Sequence, residues 1–167
     1  MGGSSKGSSL TTDQRSWFER HGKKIIEEVN GGIKRNVFIS FSSDDLDEVN
    51  LLRGQAKNEN SRIEFNDYSL KAPFNSKDGD YIKRGIREQI RQSSVTIVYV
   101  SDKTADSEWV DWEIRESLKM GKGILAMHKG DTPPKRLPRA ITENNIEVVP
   151  WNQQRLNEAI QKQAENR

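Results

Sequence analysis

Cysteine is absent from the 167-residue chain, which excludes a disulfide framework, a thiolate nucleophile and a cysteine-based zinc site together. Histidine is nearly absent. His21 and His128 are the only 2, too few for a histidine-rich centre, so no metal is expected. No run approaches the ~20 apolar residues of a membrane-spanning helix. The opening Met1-Gly-Gly-Ser-Ser-Lys6 lacks the apolar core of a signal peptide and carries Lys where a myristoylation signal needs Ser or Thr. A cytoplasmic protein with no membrane partner is the expectation. An excess of one charge is missing too: 27 Lys+Arg stand against 25 Asp+Glu, for a net charge of +2, so no nucleic-acid partner is expected. Hydrophobic residues make up only 32% and mean hydropathy is −0.88. The apolar residues are gathered in short runs, however, which is the pattern of a folded domain with polar ends rather than of a disordered chain.

Those runs divide the chain. Residues 1–11 read as a disordered Gly/Ser-rich tail that can bury nothing. Over 12–32, Trp17, His21, Ile25 and Val29 are spaced four apart and Asn30-Gly-Gly32 supplies a stop, the pattern of an accessory helix. A main domain spans 34–152, and 153–167 reads as a last helix and tail.

Within the domain, strand-like and helix-like segments alternate. Asn36-Val-Phe-Ile-Ser-Phe41 reads as a strand, Ser42-Ser-Asp-Asp45 as cap chemistry, and Leu46, Val49, Leu52 and Ala56 as a helix face. Arg62–Phe65 is a weak second strand, followed by a polar connection from Asn66 to Asp80. Ile82, Ile86 and Ile90 mark a helix before Ser94–Val100, the most strand-like run in the chain. A helix from Ser107 to about Met120, with a stripe of Val110, Ile114, Ser117 and Leu118, precedes a fourth strand at Gly123–Met127. A Pro-rich loop at Thr132–Pro138, a fifth strand at Asn145–Val149 and a helix from Gln153 to Ala164 complete the domain. Such alternation implies an α/β fold with a five-stranded parallel sheet, flavodoxin-like order 2-1-3-4-5 and helices on both faces. Ligands of open α/β sheets sit beyond the carboxyl ends of the strands at the switch point. Phe41-Ser42-Ser43, Ser101-Asp102 and the helix start at Ser107 lie there.

Ser107-Glu-Trp-Val-Asp-Trp-Glu113 is the most unusual stretch. At ~100° per residue, Glu113 falls roughly 80° from the centre of the apolar stripe, one turn after Trp109 on the same side. Two readings are open. Either the indoles cover a loop and Glu113 pairs with a cation, or Glu113 is a carboxylate in a half-dry cleft, where it would stabilise a developing positive charge.

Asn36-Val-Phe-Ile-Ser-Phe-Ser-Ser-Asp44 resembles the first box of TIR domains, and Ser107-x-Trp-x-x-x-Glu113 resembles the motif that holds the catalytic glutamate of TIR NADases. Phe65-Asn-Asp-Tyr-Ser-Leu-Lys-Ala-Pro73, the Ile-rich helix and Ser93–Val100 are similar to the TIR-like branch of prokaryotic Thoeris antiphage defence proteins. The chain departs from the wider family at Phe41 and Val110, where Tyr and Cys are frequent, and it lacks a C-terminal Phe-Trp box. The resemblance implies an NAD⁺ glycohydrolase or cyclase that uses NAD⁺ as substrate, needs no cofactor and releases ADP-ribose or a cyclic isomer. Self-association, a phage-derived trigger and a downstream effector that senses the product are implied as well. It places Glu113 at the ribose next to nicotinamide, Phe41 and Trp109 as aromatic walls, Ser42 and Ser43 as a pyrophosphate cradle, and Asp67, Ser69 and Lys71 on a gating loop.

Other features read more plainly. Lys83, Arg84, Arg87 and Arg91 form a basic stripe interrupted by Glu88, the pattern of a solvated helix face. Gly121-Lys-Gly123 reads as a helix stop rather than a phosphate loop, and His128 as a structural residue near the end of a strand. A non-catalytic module assembling through 67–80 and 82–91 is the main alternative. A phospho-receiver using Asp44, Asp45 and Asp102 fits less well, because these acids lie past the expected positions.

Overall fold

The computed structural model describes residues 35–58, 65–67 and 78–166, together with Thr12 and Ser16. The chain divides into two units, Met1–Ile33 and Lys34–Arg167. In the first, Thr12 and Ser16 are helical. The expected tail and the remainder of the expected accessory helix lie outside the described residues.

In the second unit the strands are β1 (Arg35–Ser40), β2 (Phe65–Asp67), β3 (Val95–Tyr99), β4 (Gly123–His128) and β5 (Val148–Pro150). The helices are α1 (Leu46–Lys57), α2 (Gly79–Gln92), α3 (Glu108–Lys119), α4 (Arg139–Glu143) and α5 (Gln153–Glu165). All strand pairs are parallel, in the order β2-β1-β3-β4-β5. In register, Ile39 of β1 lies opposite Ile97 of β3, which lies opposite Leu125 of β4. Every residue of β3 is buried, as expected where helices cover both faces and a strand loses its polar alternation.

The period of two decides which side of the sheet each residue serves. On one face Val37, Ile39, Ile97, Tyr99 and Met127 pack with Leu52 of α1 and Leu156 and Ile160 of α5. On the other, Val98 and Ala126 pack with Val110 and Ile114 of α3 and with α4, while Phe38 packs with Ile86 and Ile90 of α2. Ser40 follows Phe38 on this second face, beneath α3.

The helix ends follow from local chemistry. Ser107 caps α3, its hydroxyl accepting from the Val110 N–H. At the other end Gly121 takes φ +65°, Lys122 N–H bonds Ser117 C=O and Gly121 N–H bonds Leu118 C=O. This is a Schellman stop, for which a residue without Cβ is best suited, so the expected helix stop is realised. Gly123 then serves a different purpose. A Cβ there would lie 2.2 Å from the backbone oxygen of Gln163 in α5, so β4 and α5 meet backbone to backbone.

Three expectations need correction. Leu118 is 36% exposed and Ser117 is buried. Leu118 lies roughly 80° round the helix from Val110, and Ser117 can take the core position because its hydroxyl bonds Thr96 at 2.8 Å and the Glu113 C=O at 2.8 Å. The described part of the second strand is Phe65–Asp67 rather than a segment ending at Phe65, and 62–64 lie outside the described residues. Asn66 and Asp67 read as loop, yet Asp67 is held by Arg53 of α1, Nε to Oδ2 2.8 Å, with side chains only 10% and 9% exposed. The segment after the Pro-rich loop contains α4, whose 5 residues are too few to show a helical period but bury Ala140 and Ile141.

The Arg53–Asp67 pair ties the edge strand to α1. Asp67→Asn removes the charge that Arg53 Nε meets and is expected to cost about 1–2 kcal/mol of stability, read as a lower urea midpoint. An unchanged midpoint would show that the pair does not hold β2.

Candidate active site

Glu113 lies in the second turn of α3, where the helix crosses the end of β1. Its side chain is half-buried, and Ser40 Oγ donates a hydrogen bond to its Oε2. Ser40 itself is fully buried. Burial pushes the carboxyl up and the Ser40 bond pulls it part of the way back, leaving a pKa of about 7. Among the described residues no cation is paired with it. The reading in which Glu113 merely balances an Arg or Lys is thereby replaced by one in which a single hydroxyl supports a poorly solvated acid. The bonds from Ser117 to the Glu113 carbonyl and from Ser117 to Thr96 of β3 fix this turn of α3 against the sheet.

Trp109, one turn before Glu113, is 44% exposed. Its ring meets that of Trp112 edge to face, with centroids 5.9 Å apart. Lys83 of α2 lies over both indoles, and Arg87 over Trp112 while also pairing with Glu116 at 3.0 Å. The stripe read as a solvated face thus sends two of its cations onto the tryptophans. Helical spacing marks the stripe, but only the packing of α2 against α3 shows what it meets.

Of the other expected site residues, Phe41, Ser42 and Asp67 have partners of their own. Phe41 packs against the α1 and α5 side of the sheet, with the Arg53 guanidinium 5.5 Å from its ring centroid. Among the described residues no ring contact links it to Trp109. Asp67 is engaged by Arg53. Ser42 caps a 3₁₀ turn at Ser43–Asp45, its hydroxyl accepting from Asp44 N–H. Asp44, Asp45, Asp47 and Glu48 crowd the start of that turn and of α1. This charge already complements the amide dipoles and opposes a pyrophosphate. Ser69 and Lys71 lie outside the described residues.

At the switch point proper, Ser101 Oγ donates to Asp45 Oδ2 at 2.7 Å. Nearby Tyr99 is buried, and its pKa is pushed up to about 12 by burial and then by the Glu48 and Asp45 charges, so it stays a neutral phenol. His128 is buried at the end of β4. Among the described residues no group of three His, Asp and Glu could hold a metal ion, and no helix is long and apolar enough to cross a membrane.

A cavity of about 450 Å³ opens at the start of α3, lined by residues that include Ser107, Glu108, Asp111, Trp112, Arg115 and Arg139. Burial raises the Asp111 pKa, but bonds from Arg115 and the Ala140 N–H and the two arginine charges outweigh it and set it below the ordinary value. This carboxylate is committed to its ion pair.

No curated protein matches the sequence. Among solved structures, the TIR domain of the Toll-related receptor TRR-2 from Hydra magnipapillata is similar with a TM-score of 0.51 and 16% identity, over 77% of this chain and 94% of that one. The CMP N-glycosidase BcmB of Clostridium botulinum has a TM-score of 0.46 and 12% identity, over 77% and 97% of the two chains. The TIR domains of the activated Roq1 resistosome have a TM-score of 0.45 and 16% identity, over 79% and 84%. The family model for the TIR-like domain of the Thoeris protein ThsB matches residues 38–133, more than half of the chain and a span that contains both Ser40 and Glu113. The chain therefore belongs to the family of Thoeris ThsB TIR-like domains.

Proposed function

We propose that the protein cleaves NAD⁺ at the nicotinamide–ribose bond, and that Glu113 is the catalytic residue. The observation that carries this reading is the half-buried Glu113 carboxylate, held by Ser40, with no cation paired with it among the described residues and an exposed indole one turn away. The bond to be broken already bears a cationic leaving group, so its electron pair departs with neutral nicotinamide and no general acid is required. What the reaction needs is negative charge next to the ribose C1′ as the oxocarbenium character develops. In a poorly solvated site that charge acts through a low dielectric. The substrate's positive charge in turn favours the ionised form of Glu113.

Trp109 offers a face for an aromatic base. Water attacking C1′ gives ADP-ribose, whereas attack by an atom of the ADP-ribose itself gives a cyclic isomer. Either product serves as an antiphage signal read by a separate effector, with activity raised by infection and self-association. No cofactor enters the reaction. Mass spectrometry of nucleotides from infected cells, comparing the wild-type protein with Glu113→Gln, tests the reaction and identifies the product. Nicotinamide release that is equal in both refutes it.

The Ser40 bond sets the pH range. Because the free carboxylate is the active form, kcat/KM for NAD⁺ should rise with pH and level off above about 7. Ser40→Ala removes the one group that lowers the Glu113 pKa, so its profile should move to higher pH while the plateau is retained in part. An unshifted profile would show that the bond does not govern ionisation.

A further inference from the structure

Two cations of the α2 stripe, Lys83 and Arg84, lie over aromatic rings with no carboxylate partner among the described residues, and of the two only Lys83 is half-buried. Arg87 is paired with Glu116 and Arg91 with Glu88. The Lys83 ammonium lies 5.9 Å from the centroid of Trp109 and 5.4 Å from that of Trp112. A compact, strongly hydrated ammonium gives up part of its water there and receives the ring quadrupoles in return. The position leaves it with hydrogen-bond donors to spare. Trp109, beneath it, is 44% exposed and precedes Glu113 by one helical turn. Lys83 thus lies over an indole one helical turn from Glu113.

The alternative place for a phosphate, the start of the turn at Ser43–Asp45, is crowded by Asp44, Asp45, Asp47 and Glu48. Four carboxylates oppose a ligand with two negative charges, while Lys83 attracts one. In a dinucleotide the diphosphate is one ribose away from the glycosidic bond, so a carboxylate at the ribose requires an anion site close by. The geometry points to Lys83 as the residue that takes the diphosphate of a nucleotide, with the exposed face of Trp109 against the nucleotide next to it. The assignment rests on the reading of Glu113 as a ribose-facing carboxylate, and it moves the anion site from the β1 loop to α2.

Indole fluorescence tests this without catalysis. In the full chain carrying Glu113→Gln, ADP should change the tryptophan signal saturably, and its affinity should fall as salt is raised. Adding Lys83→Gln should weaken ADP by about tenfold and flatten the salt dependence, Lys83→Arg should restore most of the affinity, and adenosine should bind both proteins alike. Equal ADP affinity with and without Lys83, equal loss for adenosine, or no saturable ADP signal in the parent overturns the proposal. Measured separately on protein with Glu113 intact, KM for NAD⁺ should rise in Lys83→Gln. An unchanged KM with active enzyme removes the Lys83 assignment alone. ADP binding through Lys83 in a protein that never releases nicotinamide refutes the cleavage reading and leaves the anion site standing.

Discussion

Replacing Glu113 with Gln should lower nicotinamide release from NAD⁺ on the order of 10³-fold and, in the same molecule, raise stability at pH 8. The two effects share a cause. Gln keeps the volume and can still accept the hydrogen bond from Ser40 Oγ, so the packing of α3 over β1 is preserved. It cannot carry the negative charge that the reaction needs, and for the same reason it avoids the cost of burying that charge.

The folded-state pKa of about 7 lies above the ordinary value of 4.5, so the folded protein binds the proton more tightly than the unfolded chain. The stability this group contributes is fully present below about 4.5 and is lost as pH rises through about 7. Glu113→Gln should therefore match the wild type near pH 4.5 and exceed it above pH 7. The upper bound is ~3 kcal/mol, reduced because the side chain still reaches solvent. Urea denaturation of both proteins across this range reads the difference directly. A variant less stable than wild type at pH 8 would mean that ionised Glu113 is stabilised by something other than Ser40, and full nicotinamide release would remove it from catalysis.

Gly123→Ala should destabilise the fold by about 2–4 kcal/mol, the largest loss expected from adding one methyl group. Its Cβ would stand 2.2 Å from the Gln163 carbonyl oxygen and 2.6 Å from the carbonyl carbon. Neither is the end of a flexible side chain, so α5 must back away from β4. Doing so loosens Leu156, Ala159, Ile160 and Ala164, all buried in the cluster on that face. A Tm lower by roughly 10 °C is expected for a chain of this size.

Gly54 is the internal control. It lies exposed within α1, where an added Cβ would meet nothing within 4 Å, and Gly54→Ala should stabilise by roughly 0.5–1 kcal/mol. Opposite signs for one chemical change at two glycines would establish close backbone approach as the cause. A Gly123→Ala protein as stable as wild type would show that α5 moves without cost.

Periodicity carries the elements it can reach. The apolar run around Val95–Tyr99, the spacing of Ile82, Ile86 and Ile90, and the Gly121 stop all follow from local rules, because burial on both faces, a helical stripe and a left-handed φ each leave a mark within a few residues. Phe65–Asp67 escapes those rules, since it is a strand by virtue of Arg35–Val37 alongside it and of Arg53 beneath it. Ser117 and Leu118 are equally consistent with a stripe, and it is Thr96, a partner for the hydroxyl, that decides between them.

The site divides in the same way. Glu113 and Trp109 stand out in the sequence because helical geometry puts an acid and an indole one turn apart at the edge of an apolar face. Ser40 gives a weaker signal, as a hydroxyl within a buried strand, and its partner is 73 residues away.

By itself, then, the sequence determined the alternation of strands and helices, the absence of thiol chemistry and the helix turn that carries the acid, since each depends on neighbours within about one turn of chain. Only the tertiary structure decided that Ser40 meets Glu113, that Phe41 and Asp67 serve Arg53, and that Lys83 lies over the tryptophans. Those pairings depend on which face of the sheet each strand residue takes and on which helices cross it. They are properties of packing between distant segments, and a local pattern of residue types does not encode them.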